Sequence, residues 1–169
     1  MANTYQLISS VTVGSGGASS IAFSSIPSTY TDLLLKVSLR ADTVNNVWCK
    51  VALNSSSTSF SARHLQGNGA SASSYSFTDN STFFLIDQTT DTASTFGNAE
   101  MYIPNYAGST YKSMSIDTVN ENNGTTAYSG LTGYLWSNTA AINAITLSTQ
   151  TSGGFAQYST AYLYGIKSS

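Results

Sequence analysis

TDLLLKVSLRAD, Thr31 to Asp42, is the longest apolar run in the chain and decides how the rest is read. In an extended backbone Leu33, Leu35, Val37 and Leu39 point one way, and Leu34, Lys36, Ser38 and Arg40 point the other. This period of two is the mark of a strand buried on one face. The leucine spacing gives no stripe of period 3.6, and SIPSTYT, immediately before, reads as a turn.

The same alternation recurs outward in both directions. Upstream, Tyr5 to Val13 and Ser19 to Phe23 are predicted strands, joined as a hairpin by Gly14-Ser15-Gly16-Gly17. That glycine run is not a phosphate cradle, because no helix follows it. Downstream, Val47 to Asn54 alternates Val47, Cys49, Val51 and Leu53 with Trp48, Lys50 and Ala52, and is expected to pair antiparallel with the Thr31 to Arg40 strand.

Phe60 to Gln66 is a further strand, ended by Gly67-Asn68-Gly69. Ala70 to Ser74 reads as a mobile loop. Tyr75 to Ile86 reads as one or two short strands around a turn at Asp79-Asn80. Strands are then expected over 95–104, 111–119, 125–136, 142–147 and 159–166. In the strand up to Trp136, Leu131, Gly133 and Leu135 are expected to face the core, with Thr132, Tyr134 and Trp136 opposite.

Short strands with Gly- and Asn-rich turns and no helical pattern predict an all-β, single-domain antiparallel β-sandwich, jelly-roll-like, spanning 1–169. Residues 1–4 form a short N-terminal arm in this reading.

Only 8% of the residues are charged, against about 25% in an ordinary soluble domain. Ser, Thr, Asn and Gly occupy the polar positions instead. The formal net charge is -2 and no basic cluster exists, which argues against a nucleic-acid partner. Interfaces are enriched in Tyr and depleted in Lys and Glu, so this composition fits a protein set among neighbours. No apolar run is long enough to span a membrane as a helix, and MANTYQLISS lacks the pattern of a secretory signal. Synthesis and folding in a cytoplasm are expected.

Chemistry is sparse. Cys49 is the single cysteine, His64 the single histidine, and Cys49 lies on the apolar side of its strand, where a reactive thiolate is disfavoured. Asp79, Asp87 and Asp91 cluster around one connection, but match no calcium-loop spacing and read as loop-capping residues. No catalytic residue, metal site or cofactor is expected, and the chain does not read as an enzyme. Lys36, Arg40, Trp48, Tyr102, Tyr134, Trp136, Tyr162 and Tyr164 all fall opposite the inferred core residues. They are the candidate contacts to a protein partner or a glycan.

Five segments resemble the small Ser- and Tyr-rich virion proteins of tailed bacteriophages. They are ISSVTVGSGGASSIAFSSIPSTYTDLLLKVSLR (Ile8–Arg40), RHLQGNG (Arg63–Gly69), IPNYAGSTYKSMSID (Ile103–Asp117), LWSNTAAINAITL (Leu135–Leu147) and YSTAYLYGIK (Tyr158–Lys167). The resemblance implies a β-sandwich of the phage particle. Its implied role is a capsid decoration, or cement, protein, often trimeric, bound to the major capsid protein on the virion surface. The alternative it leaves is a tail- or head-fibre domain that binds host-surface glycans. It carries over no ligand-binding residue.

Overall fold

The computed structural model describes residues 4–44, 47–78, 82–121, 124 and 127–167. The chain is all-β: twelve strands and no helix among these residues. They are β1 (Tyr5–Thr12), β2 (Ser20–Phe23), β3 (Asp32–Leu39), β4 (Trp48–Leu53), β5 (Phe60–Gly67) and β6 (Ala72–Thr78). The remainder are β7 (Thr82–Leu85), β8 (Gly97–Pro104), β9 (Lys112–Glu121), β10 (Ala127–Trp136), β11 (Ile145–Thr149) and β12 (Thr160–Ile166).

Two antiparallel sheets pack together as a β-sandwich. The larger has eight strands in the order β1-β12-β3-β8-β9-β10-β5-β6, and the smaller has four in the order β2-β11-β4-β7. Leu33, Leu35, Val37 and Leu39 of β3 meet Val51, Leu53, Ile145 and Leu147 of the smaller sheet in one continuous core. The alternation seen in the sequence is therefore what joins the two layers. Leu34, on the second face of β3, is also buried, flanked by its cross-strand partners Tyr164 and Tyr102.

Four local expectations are corrected. β1 and β2 do not form a hairpin. β1 pairs with β12, whereas β2 pairs with β11 in the other sheet. The chain crosses between layers at Ala18, whose N–H and C=O exchange hydrogen bonds with Phe155 at 3.0 and 2.7 Å. β3 and β4 do not pair either, and they too lie in opposite sheets. Two strands with one apolar face each can bury those faces side by side or face to face. Their own patterns are the same in both cases.

Of the segment read as a mobile loop, Ala72 to Ser74 are the start of β6, which pairs with β5 from Gly67↔Ala72 to Ser61↔Thr78. Asn68 Oδ1 accepts from the N–H groups of Ala70 and Ser71 and closes the turn between them. Its small polar residues have low strand propensity, but an edge strand buries little and needs little. The turn expected at Asp79-Asn80 lies outside the described residues.

The last correction concerns β10, whose two faces are reversed. Thr132, Tyr134 and Trp136 are buried, while Leu131 is exposed and Leu135 half-buried. Both faces of β10 are apolar, so the fold selects by size. Trp136 stacks on Phe60 at 6.1 Å, and Tyr134 meets the same ring edge-on. Burying these two aromatics removes more apolar surface than burying two leucines. Tyr134 and Trp136 are core residues and cannot contact a partner or a glycan. Burial raises the Tyr134 phenol well above its ordinary value.

Candidate functional site

Two surface features stand apart from the sealed core. The first is the outer face of the eight-stranded sheet, which nothing among the described residues covers. Pairing registers place Tyr5, Leu7, Leu34, Lys36, Glu100, Tyr102, Tyr162 and Tyr164 on it across β1, β12, β3 and β8. Farther along, Asp117, Val119, Leu131, Arg63 and Leu65 continue the same face on β9, β10 and β5. Tyr5 is 56%, Leu7 50%, Leu65 53% and Leu131 58% exposed.

Most of the large exposed apolar side chains thus share one face. Lys36 Nζ lies 2.8 Å from Glu100 Oε2, and that bond raises the Lys36 ammonium above its ordinary value. Tyr102 donates its hydroxyl to Asp32 at 2.9 Å, and Asp32 also accepts from Asn105 N–H. A shallow depression of about 260 Å³ lies among Tyr5, Leu34, Lys36, Glu100 and Tyr164.

The second feature is a cleft of about 600 Å³. It opens between the inner face of the larger sheet, at β5, β6 and β10, and the β4–β7 end of the smaller one. Eight strands outrun four, so this end of the inner face is incompletely roofed. Trp48, Tyr75, Tyr128, Gln66, Gln88 and Asp91 are among its walls.

Its aromatic side is held by mutual contacts. The Trp48 ring meets His64 edge-on at 5.3 Å and Phe77 at 5.8 Å. Tyr75 stacks over both His64 and Phe77. His64 is buried, with Nδ1 2.7 Å from Thr132 Oγ1 and Nε2 3.3 Å from Gln66 Oε1. Burial lowers the imidazole below its ordinary value. A neutral ring that donates from Nε2 to Gln66 Oε1 and accepts at Nδ1 from the Thr132 hydroxyl satisfies both contacts. Gln66 then keeps its amide N–H groups for the cleft.

The other wall is the 87–95 loop. Arg40 spends its guanidinium there, donating to the carbonyls of Asp91, Thr92 and Thr95 and to Thr95 Oγ1. It was expected as a sheet-face charge, but it is a clamp for this loop. Asp87 pairs with Arg40 through the backbone and is fully buried, with Thr95 and Asn120 the polar side chains nearest its carboxylate. Burial raises its carboxyl above the usual value. Asp91 Oδ2 accepts from Gln88 N–H at 2.8 Å, a loop-capping role as expected. Asp79 lies outside the described residues. Among the described residues no three His, Cys, Asp or Glu side chains gather as metal ligands. Cys49 is buried in the core, and its thiol is pushed far up.

The eight sequence candidates therefore separate. Lys36, Tyr102, Tyr162 and Tyr164 share the open sheet face. Trp48 stands in the cleft, Arg40 braces the cleft loop, and Tyr134 and Trp136 are core. The sequence reading missed Tyr5, Leu7, Leu65 and Leu131 on the face, and Tyr75, Gln66 and Gln88 in the cleft. Period-two alternation in β1 and β5 signals Tyr5, Leu7 and Leu65, whereas only tertiary packing turns Leu131 outward and assembles the second set. Compared with known proteins, the chain matches no family model, no curated protein and no solved structure.

Proposed function

We propose that this chain is a structural protein of a tailed-bacteriophage virion, of the decoration type. In this reading it binds the assembled major-capsid lattice through the outer face of its eight-stranded sheet. The observation that carries the proposal is the gathering of Tyr5, Leu7, Leu65, Leu131, Tyr102 and Tyr162 on that one uncovered face. A face of this kind is what an interaction surface looks like before its partner arrives. The resemblance of five segments to phage virion proteins supplies the partner class.

A decoration protein binds the closed shell and not its free subunits. Mass action then stabilises the shell. Many copies on a repeating lattice act together, so each contact can be modest. Symmetric assembly at lattice junctions makes a trimer the favoured oligomer. The test is the copy number in purified particles, measured by quantitative mass spectrometry. Near-stoichiometry with the major capsid protein is expected. A few copies confined to the tail would refute the assignment.

A further inference from the structure

We propose that the cleft between β4, β5, β6 and the 87–95 loop is a binding site for a neutral oligosaccharide. The proposal is independent of the virion reading and uses a different part of the molecule.

Four observations carry it. The first is shape. At about 600 Å³ the cleft lies within the range of about 300–1,000 Å³ typical of small-molecule sites.

The second is a fixed aromatic wall. Trp48, His64, Tyr75 and Phe77 hold one another at ring separations of 5.3 to 6.4 Å, and Tyr75 remains exposed at the mouth. An aromatic ring accepts the apolar C–H face of a pyranose without any charge on the ligand.

The third is unused hydrogen-bonding capacity of both kinds. Gln66 has amide donors left over once His64 has taken its oxygen. Gln88 Oε1 is a buried acceptor with no partner among the described residues. An acceptor left unsatisfied is costly, and turning the Gln88 amide toward the cleft lets a ligand hydroxyl satisfy it. Asn120 and the Tyr128 side chain complete a wall that both donates and accepts. A sugar hydroxyl does both at once, and neighbouring hydroxyls suit mixed donors and acceptors.

The fourth is charge. Among the described residues no Lys or Arg lines the cleft, and Asp91 does. A phosphate or an acidic sugar would meet a carboxylate with no cation to offset it. A cationic ligand is poorly served too, since Asp91 is already engaged by Gln88 N–H and Arg40 holds the same loop.

The experiment uses the full chain and its own fluorescence. The protein has two tryptophans. Trp136 is sealed in the core, so a ligand-induced change reports Trp48. Maltotetraose, cellotetraose, chitotetraose and mannotetraose are titrated to about 10 mM, the range of weak single-site binding. Tetragalacturonate and adenosine serve as acidic and stacking controls.

At least one neutral tetrasaccharide is expected to give a saturable change, with no response to either control. Tyr75→Ala and Gln88→Ala should each weaken that response at least about tenfold, while Tyr75→Phe retains it. Tyr75 lies on an edge strand, and an unchanged melting temperature shows that Tyr75→Ala is folded. Saturation-transfer NMR on the same panel checks binding without relying on tryptophan. Silence of all four sugars in both measurements overturns the proposal. So does a stronger response to tetragalacturonate or adenosine, or binding that survives both alanine substitutions.

Discussion

Leu65 on β5 and Leu131 on β10 stand directly opposite each other on the outer face of the larger sheet, both more than half exposed. Cross-strand leucines in water gain little from each other and leave a patch that a partner can dry. Leu65→Lys and Leu131→Lys should each change folding stability by no more than about 0.5 kcal/mol, the range for surface substitutions. The double variant should no longer co-sediment with undecorated capsids. Wild-type binding by that folded variant would remove this face from the interface.

Lys36 and Glu100, about half exposed on the same face, provide a test of salt dependence. In the free protein the pair is screened, and is worth no more than about 1 kcal/mol. A double-mutant cycle with Lys36→Ala and Glu100→Ala should show a small coupling in free-protein denaturation that fades as salt is added. If the pair is dried at a capsid interface, the same cycle measured on particle binding should give a larger coupling.

Trp136 and Leu131 make the opposite pair, five residues apart on one strand with reversed surroundings. Trp136→Ala should cost about 3–5 kcal/mol in urea unfolding, because it opens a cavity beside Phe60 and Tyr134. Leu131→Ala should cost almost nothing. Equal losses would mean that the faces of β10 are assigned the wrong way round.

Asp87 and His64 should tilt stability against pH in opposite directions. Asp87 has its carboxyl raised above 3.8, first by burial, with Asp91 adding to the shift and the Thr95 hydroxyl, Arg40 and Asn120 opposing it. Below pH 3.8 both folded and unfolded chains hold the proton. As pH rises past that point only the unfolded chain ionises, and stability is lost until the folded carboxyl titrates too. His64 has its imidazole lowered below 6.5, first by burial, with the Gln66 bond opposing. Above pH 6.5 both states are neutral. As pH falls only the unfolded chain takes up the proton, and stability is lost.

Relative to the parent, Asp87→Asn should therefore gain melting temperature as pH rises from 3.8 to 6.5. At pH 7 the gain should be about 2–4 °C for each kcal/mol recovered. His64→Gln should do relatively better as pH falls through the same window. Calorimetry across that window checks both, and parallel curves for parent and variants would dismiss the linkage.

Strand positions were legible because burial on one face writes a period of two into the sequence. Leu33 to Leu39 and Val47 to Leu53 show it cleanly. Pairing was not legible. β3 and β4 are neighbours in sequence and lie in different sheets, and no residue in either strand records that choice. β10 failed for a different reason. Both of its faces are apolar, so alternation named two candidate faces and only the fit around Phe60 selected one. Tyr102, Tyr162 and Tyr164 on the sheet face followed from period alone. The cleft did not, because Trp48, Gln66, Tyr75 and Gln88 come from four separate segments whose proximity is a product of the whole topology. Lys112 gave no warning at all. It is a buried lysine whose ammonium is held by the carbonyls of Gly108 and Thr110.

The pairing of β1 with β12 sets Tyr5 opposite Ile166, and Lys167 N–H donates to the carbonyl of Thr4. Residues 4 and 167 therefore sit side by side at one corner of the molecule. A short peptide could join them without strain, and the chain could be opened elsewhere with the same layers intact. The described chain thus enters and leaves the fold at a single point, like two cords through one eyelet. A pair of different cargoes, one on each end, would be delivered side by side.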